Sequence, residues 1–466
     1  MATPNNIQYS TNPVEAVSAE AELRIFRSEN STYAPDGNRQ IIIPLNCSDK
    51  SFIDFSDSVI SMKFTNRSAD ASTVAEATCN VSLASLIQDL TIIGPQGNEI
   101  EVIRDYNVLN KMLDDYSYGL NHAVSIENVL SGASTTGVEG GQAPVLGSQA
   151  TGSAQADGGS ITLVDKLVCA TLSNRYLVPC GWLVGQAMRI SIRLADPETA
   201  LFFGTAPTIA GYKCEDIQFR AKEIKFNSMF NATFEQTLAQ AGADGLSYIG
   251  ETFLHAQNNI PVGSAGEQNL QFSLNPRSAK YILSGHRRES DITLTTAQSL
   301  GGRISSCLTR YSYDIMGKQL PSQPIDVNTI IPNAGTSGGS NDISRAYSQV
   351  LDAFGIVGAV NRDGLAQRTL STNGTSFYFS NTNSSGPSAA DGVVPSKYLS
   401  AITLEDFDSS NNPDVFSGQN LSTSGPLIYR PQLLNAVATS AHRVDHYIAC
   451  DIQLRFTIDG RMYSIK

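Results

Sequence analysis

Three landmarks follow one another twice along this chain, in the same order and at nearly the same separation. The β-branched run Arg39–Leu45 (RQIIIPL), behind the turn Pro35-Asp36-Gly37, is answered by Glu267–Leu274 (EQNLQFSL), behind Pro261-Val262-Gly263, 228 residues later (267 − 39). The segment Arg104–Tyr116 carries Tyr106, Leu109, Met112 and Leu113 at helical spacing, and Ser344–Gly355 answers it 240 residues later (344 − 104). Lys213–Phe226 is answered by Asp445–Ile458 after 232 residues (445 − 213). Residue identity between the halves is negligible, so only the pattern repeats. Its simplest meaning is two β domains of one topology lying side by side, which 466 residues accommodate.

Short strands dominate between the landmarks. Phe52–Thr65 alternates apolar and polar residues and predicts a half-buried strand pair. Leu90–Ile93 and Glu99–Ile103 flank Pro95-Gln96-Gly97-Asn98 and predict a hairpin. Further strands are expected at Ile161–Val168 and Ala187–Leu194. Strands at this spacing imply a sandwich or barrel, of which the jelly roll is one form. Asn231–Ala241 opens on an N-cap residue and predicts a linking helix, broken by Gly242-Ala243-Asp244-Gly245. The expected division is an arm over residues 1–20, a first domain over 21–228, a linking segment over 229–245 and a second domain over 246–466. The arm holds no Lys or Arg and has two Pro, so it cannot fold alone and is expected to reach a neighbouring molecule. Residues 117–160, rich in Gly, Ser, Ala and Gln, are expected to project as a long loop.

Charge narrows the function. Charged residues are 16% of the chain, well below the usual quarter, and the net charge is −12. Neither a basic arm nor a basic patch is evident, which argues against direct, sequence-specific nucleic-acid binding. The N-terminus has neither the positive nor the apolar region of a secretion signal, and no run is long enough for a membrane helix. The Asn-x-Ser/Thr triplets Asn66-Arg67-Ser68 and Asn231-Ala232-Thr233 are therefore read as chance. Cysteines at 47, 79, 169, 180, 214, 307 and 450 are odd in number and form no CxxC, so buried free thiols in a reducing compartment are expected.

Few residues suggest chemistry. Gly335-Thr336-Ser337-Gly338-Gly339 formally fits the nucleophile elbow, but Pro332 and a Gly/Ser/Asn stretch separate it from any strand or helix, so Ser337 is read as a loop residue. His442 and His446 are four apart, yet they lead into a strand and no HExxH is present, so a metal site is not expected. Asp105, Asp114 and Asp115 flank a helix and are read as a solvated face. Trp182 is read as a core residue. No catalytic, cofactor-binding or metal-ligating residue is expected, and with none the chain is not expected to hold a cofactor or to be an enzyme.

Several stretches resemble the major capsid proteins of polinton-like viruses and virophages. They are Arg39–Leu45, Ser51–Thr65 and the hairpin into Arg104–Met112 in the first half. In the second half they are Glu251–Val262, Thr309–Ile325 with its Leu320-Pro321-Ser322-Gln323-Pro324 segment, the helix Ser344–Gly355 and the ending Asp459–Lys466. The likeness is one of order and texture over most of the chain outside the long loops. The chain is shorter than most virophage capsid proteins, which favours the polinton-like group. The resemblance implies an all-β chain of two consecutive jelly rolls with short helices and long surface loops. It further implies a homotrimer forming a pseudo-hexagonal capsomer in an icosahedral virion shell around double-stranded DNA, with penton and minor capsid proteins as partners. Ser117–Ser160 and Asn361–Pro395 would be its outward towers. The competing readings are a carbohydrate-binding or fibre-type β-sandwich and, behind it, a serine hydrolase at Ser337.

Overall fold

Alternation along Gln40–Leu45 puts Ile41, Ile43 and Leu45 inside and Gln40, Ile42 and Pro44 on the outer side. The computed structural model describes residues 19–117, 159–327, 344–355, 397–405 and 417–465, apart from short breaks at 71–72, 75–77, 80–81, 175, 204–205, 296–299, 301, 307, 424, 434–436 and 438–439. The expected arm up to residue 18, Ser337 and nearly all of both expected towers lie outside the described residues. Ala19 and Glu20, expected in the arm, instead begin the first strand.

The main strands of the first half are β1 (Ala19–Arg27), β2 (Gln40–Leu45), β3 (Phe52–Asn66), β4 (Ile87–Ile93), β5 (Glu99–Ile103), β6 (Ser160–Asp165), β7 (Met188–Leu194) and β8 (Tyr212–Phe226). Helix α1 (Tyr106–Ser117) lies between β5 and β6 in the chain, and α2 (Ser228–Ala241) follows β8. In the second half come β9 (Leu246–Ile260), β10 (Leu270–Phe272), β11 (Ala279–Arg288), β12 (Leu308–Ile315), β13 (Lys318–Asp326), α3 (Ser344–Ala353), β14 (Ser400–Thr403), β15 (Leu427–Leu433) and β16 (His442–Phe456). A last strand, β17 (Met462–Ile465), pairs with β16.

The first half forms two sheets, ordered β1-β8-β3-β6 and β2-β7-β4-β5. The second forms β9-β16-β11-β14 and β10-β15-β12-β13. Adding eight to each number in the first pair of sheets gives the second pair. Among the described residues each half thus has an eight-strand, two-sheet antiparallel jelly-roll core, to which short strands such as β17 add. Among the described residues no strand ladder joins a strand before α2 to one after it. The three sequence landmarks occupy matching places: β2 and β10, α1 and α3, β8 and β16.

Some elements differ from expectation. Phe52–Asn66 is one strand of 15 residues rather than a pair, because its polar Ser58 and Ser61 are buried and the chain continues straight through them. The linking helix starts three residues early, capped by Asn227, whose side chain accepts the Phe230 N–H at 2.9 Å. Glu267–Leu274 divides into short pieces at Gly266–Glu267 and Leu270–Phe272. Trp182 is half-buried and packs between Phe52 and Phe234, joining α2 to the first barrel.

The two cores share topology but differ in chemistry. In the first, Ile43, Ile190 and Ile92 stand in register across three strands, beside Ile41, Ile192 and Leu90, all essentially unexposed. In the second, Tyr313 and Tyr429 are opposite each other, with Tyr311, Tyr398 and His286 nearby. Their hydroxyls need partners once buried. Ser400 bonds both Tyr398 and Tyr429 at 2.8 Å, and His286 bonds Tyr429 at 3.0 Å.

Ile190→Ala is expected to cost about 2–5 kcal/mol, as core truncations do. Arg193→Ala on the same strand removes only an exposed pair with Asp89 and should cost under about 1 kcal/mol. Urea denaturation of both variants checks the contrast; equal costs would refute the assignment of faces.

Candidate functional site at the seam between the halves

Helix α1 packs on β4 of its own half and also meets residues of the second half. Its apolar positions Tyr106, Val108, Leu109, Met112 and Tyr116 are all buried. Met112 lies over Gly285 of β11, where a Cβ would approach its Cε to 2.2 Å, so glycine makes room for the helix. Tyr116 stacks on Phe354, with ring centroids 5.2 Å apart.

Each end of α1 carries an ion network. Asp105, just before the helix, has φ 46, a left-handed geometry that Asp tolerates. Its carbonyl accepts the Tyr447 hydroxyl at 2.8 Å and its carboxylate accepts Arg443 at 3.0 Å. Arg443 also reaches Asp445, at 2.9 Å, and Arg287 bonds Asp445 twice, at 2.9 and 2.7 Å. His255 lies 3.2 Å from Asp445 and 3.5 Å from Asp105. Burial would raise the Asp445 carboxyl, but Arg287, the His255 hydrogen bond and Arg443 together hold it far below the usual carboxylate range.

At the other end Asp115 is fully buried. It meets Lys111 at 2.8 Å, Arg303 at 2.7 Å and Lys397 at 3.1 Å. Burial works against its charge, but the three cations outweigh burial and keep it ionised. Lys397 is the weak partner: burial pushes it down to about 7 against the pull of Asp115. The reading of Asp105, Asp114 and Asp115 as one solvated face is therefore corrected for Asp115. That position lies three residues after Met112 and seven after Val108, on the apolar stripe, and the helical spacing alone could have flagged it. Two of its three cations, Arg303 and Lys397, come from 188 and 282 positions away (303 − 115, 397 − 115), a distance that no local pattern spans.

The halves also touch through backbone and small residues. Val184 N–H donates to the Gly460 carbonyl at 2.9 Å, and Ser464 donates to the Ile100 carbonyl at 2.6 Å. A Cβ on Gly250 would come within 2.9 Å of the Ala170 Cβ.

Several groups resemble chemical sites and can be weighed in place. Asp105, His255 and Asp445 present atoms within 4.8 Å of one another, as metal ligands would. Two arginines already neutralise the two carboxylates, so the trio reads as part of an ion network. His442 and His446 both lie inside β16, with no break between them, and both are buried. Ser284 Oγ is 2.7 Å from His446 Nδ1, a nucleophile–base distance. Both residues are fully buried, however, and the hydroxyl also bonds Tyr313 at 2.8 Å. A cavity of about 520 Å³ beside the seam is lined by Cys169, Phe253, Tyr281 and Phe354, with Asp114 and Glu251. Glu251 is taken by Lys280 at 2.8 Å and Tyr281 at 2.9 Å, and burial raises the Cys169 thiol, which leaves it a poor nucleophile. No helix among the described residues is long and apolar enough to cross a membrane.

No known protein family's sequence profile and no curated protein sequence matches this chain. Solved structures do match in fold. A chain of the PBCV-1 virus capsid superposes with a TM-score of 0.57 at 11% identity, covering 97% of this chain and 98% of that one. A chain of the Sputnik virophage gives 0.57 at 8% identity, over 100% and 92%. The mavirus major capsid protein gives 0.51 at 8% identity, over 100% and 95%. The fold is thus a double jelly roll, all-β with short helices, of the kind these viral chains share.

Asp115→Ala leaves buried Arg303 and Lys397 without their counter-charge and is expected to cost about 3–5 kcal/mol by denaturant titration. A cost under about 1 kcal/mol would mean that the seam does not depend on this carboxylate.

A pH dependence follows from the second core. Burial lowers His446 to about 3; burial and Arg288 lower His442 to about 4; burial, His442 and His446 lower His286 well below 6.5. The unfolded chain takes up protons near pH 6.5 while the folded chain does not. The stability that these histidines contribute is therefore complete above about 6.5 and falls with pH, by up to about 1.4 kcal/mol per unit per histidine. Urea midpoints at pH 7.5, 6 and 5 should decline in that order, before most carboxylates titrate. A flat profile would show the histidines to be protonated in the fold.

Proposed function

We propose that this chain is a major capsid protein of a virion, a structural subunit rather than an enzyme. One observation carries the reading: an eight-stranded jelly roll built twice in one chain, superposable over nearly its whole length on viral capsid chains. The proposed units are residues 21–228 and 246–466, with 229–245 linking them.

In this reading three copies close into a pseudo-hexameric capsomer, and capsomers tile an icosahedral shell around double-stranded DNA with penton and minor capsid proteins. The two barrels differ in sequence, so a face of one meets a different face of the next subunit's other barrel, a heterologous contact that closes after three copies. The low charged fraction suits such burial, because stripping water from charge is costly. Strand β1 is a sheet edge with Leu23 and Ile25 pointing outward, 66% and 47% exposed, and Met229 on neighbouring α2 is 79% exposed. Apolar groups clustered at a sheet edge suit a surface that subunits cover.

Native mass spectrometry of the purified full chain should show a dominant trimer, and electron microscopy of assembled material should show a closed shell. Obligate contacts of this kind bury roughly 2,000 Å² or more. A dominant monomer or dimer under mild conditions would count against the capsid reading, and sugar affinity in a monomer would favour a lectin-type sandwich.

A further inference from the structure

Both halves of the chain wall the cavity of about 520 Å³ beside the seam. Leu113 of α1 and Val168 and Ala170 of the β6–β7 connection come from the first half. Phe253 of β9, Tyr281 of β11 and Phe354 just after α3 come from the second. Neither half alone makes the cavity. Its volume lies within the range of sites that hold small molecules, about 300–1,000 Å³.

The walls are mostly apolar, and their rings are held in place. Phe253 and Tyr281 are buried and meet edge-on, with ring centroids 6.4 Å apart. Tyr281 and Phe354 are 5.9 Å apart, tilted by 48°. The protein itself engages the polar groups beside them. The Ser173 hydroxyl donates to the Leu167 carbonyl at 2.8 Å. The Asn174 amide donates to the Ala170 and Thr171 carbonyls at 3.2 and 2.8 Å, and its oxygen accepts the Tyr176 N–H at 2.7 Å. Glu251 keeps spare capacity. A carboxylate offers about four acceptor positions, and Lys280 and Tyr281 each take one. The Glu251 side chain stays 35% exposed. The lining has two acidic residues, Asp114 and Glu251, and no basic one.

We propose that this cavity is a binding site for a small neutral aromatic molecule of two or three rings bearing one N–H or O–H donor. Its rings lie among Phe253, Tyr281 and Phe354, and its donor bonds Glu251. Offset and edge-on ring contacts favour such a ligand beyond the area it buries. An anion would lose its water against an apolar, acid-edged wall. A cation at Glu251 would crowd Lys280, which already holds that carboxylate. Because the walls come from both halves, an occupant ties them together and stabilises the folded chain by mass action.

The test titrates the purified full-length protein with N-phenyl-1-naphthylamine, a neutral three-ring amine whose fluorescence rises in apolar surroundings. One saturable site per chain is expected, with a dissociation constant below about 100 µM. The melting temperature should rise by about 1 °C at tenfold excess over that constant. The sulfonated relative 8-anilino-1-naphthalenesulfonate has the same rings and should bind at least about tenfold more weakly. Leu113→Trp, at a half-buried wall position, fills part of the cavity and should weaken the neutral probe by a similar factor. Photolabelling of the wild type with 1-azidonaphthalene locates the site without any variant. The label should fall in the tryptic peptides Leu167–Arg175 or Tyr281–Arg287 and be suppressed by the amine. Absence of saturable binding would overturn the proposal, as would labelling confined to other peptides or undiminished binding by a folded Leu113→Trp. Equal binding of the sulfonate would overturn the neutral class of ligand.

Discussion

The seam depends on a carboxylate that has no water around it. Asp115 keeps its charge only because Lys111, Arg303 and Lys397 converge on it, and two of those cations come from the other half of the chain. A lone buried charge would be too costly to hold, so the helix that carries it and the strands that answer it must be present together. At the opposite end of α1 the same logic operates, two arginines from the second half meeting Asp105 and Asp445. Apolar packing over Gly285 glues the halves, and the ion networks fix where the glue sets.

Between these ends the halves are free to differ. One barrel is filled by isoleucine and leucine in register; the other is filled by tyrosines and histidines whose polar atoms bond one another. Identical topology tolerates both because a jelly roll asks only that inward positions alternate along each strand and that buried polar groups find partners. The buried histidines His286, His442 and His446 make the second core sensitive to protonation near neutral pH.

Much of this architecture was legible in the residues. Strands with clean alternation, such as Gln40–Leu45, and the strong helix at Tyr106–Ser117 were visible because their periodicity is local. The pattern repeat gave the topological duplication, and the family resemblance supplied the jelly roll itself. The strand Leu246–Ile260 went unrecognised because its buried residues, Tyr248, Phe253 and Ile260, do not alternate regularly. The strand Ala279–Arg288 was missed because nearly all of it is buried, which leaves no polar face to give period two. The seam stayed hidden for another reason: Arg303, Lys397, Arg287 and Arg443 read as ordinary surface charges until the fold brings them to Asp115 and Asp445.

The placement of α1 also has a consequence for how the chain is made. Ribosomal synthesis delivers the first barrel and its helix well before β16, and the bond from Arg443 to Asp105 spans 338 positions. Until β11, α3 and Lys397 have emerged, Met112 and Tyr116 lack their second-half partners Gly285 and Phe354, and Asp115 has only Lys111 within reach. A nascent first half is therefore a folded barrel with a sticky flank, the kind of surface that cellular holdases bind. Completion of the seam would then serve as the checkpoint that separates a finished subunit, fit to associate, from a truncated one.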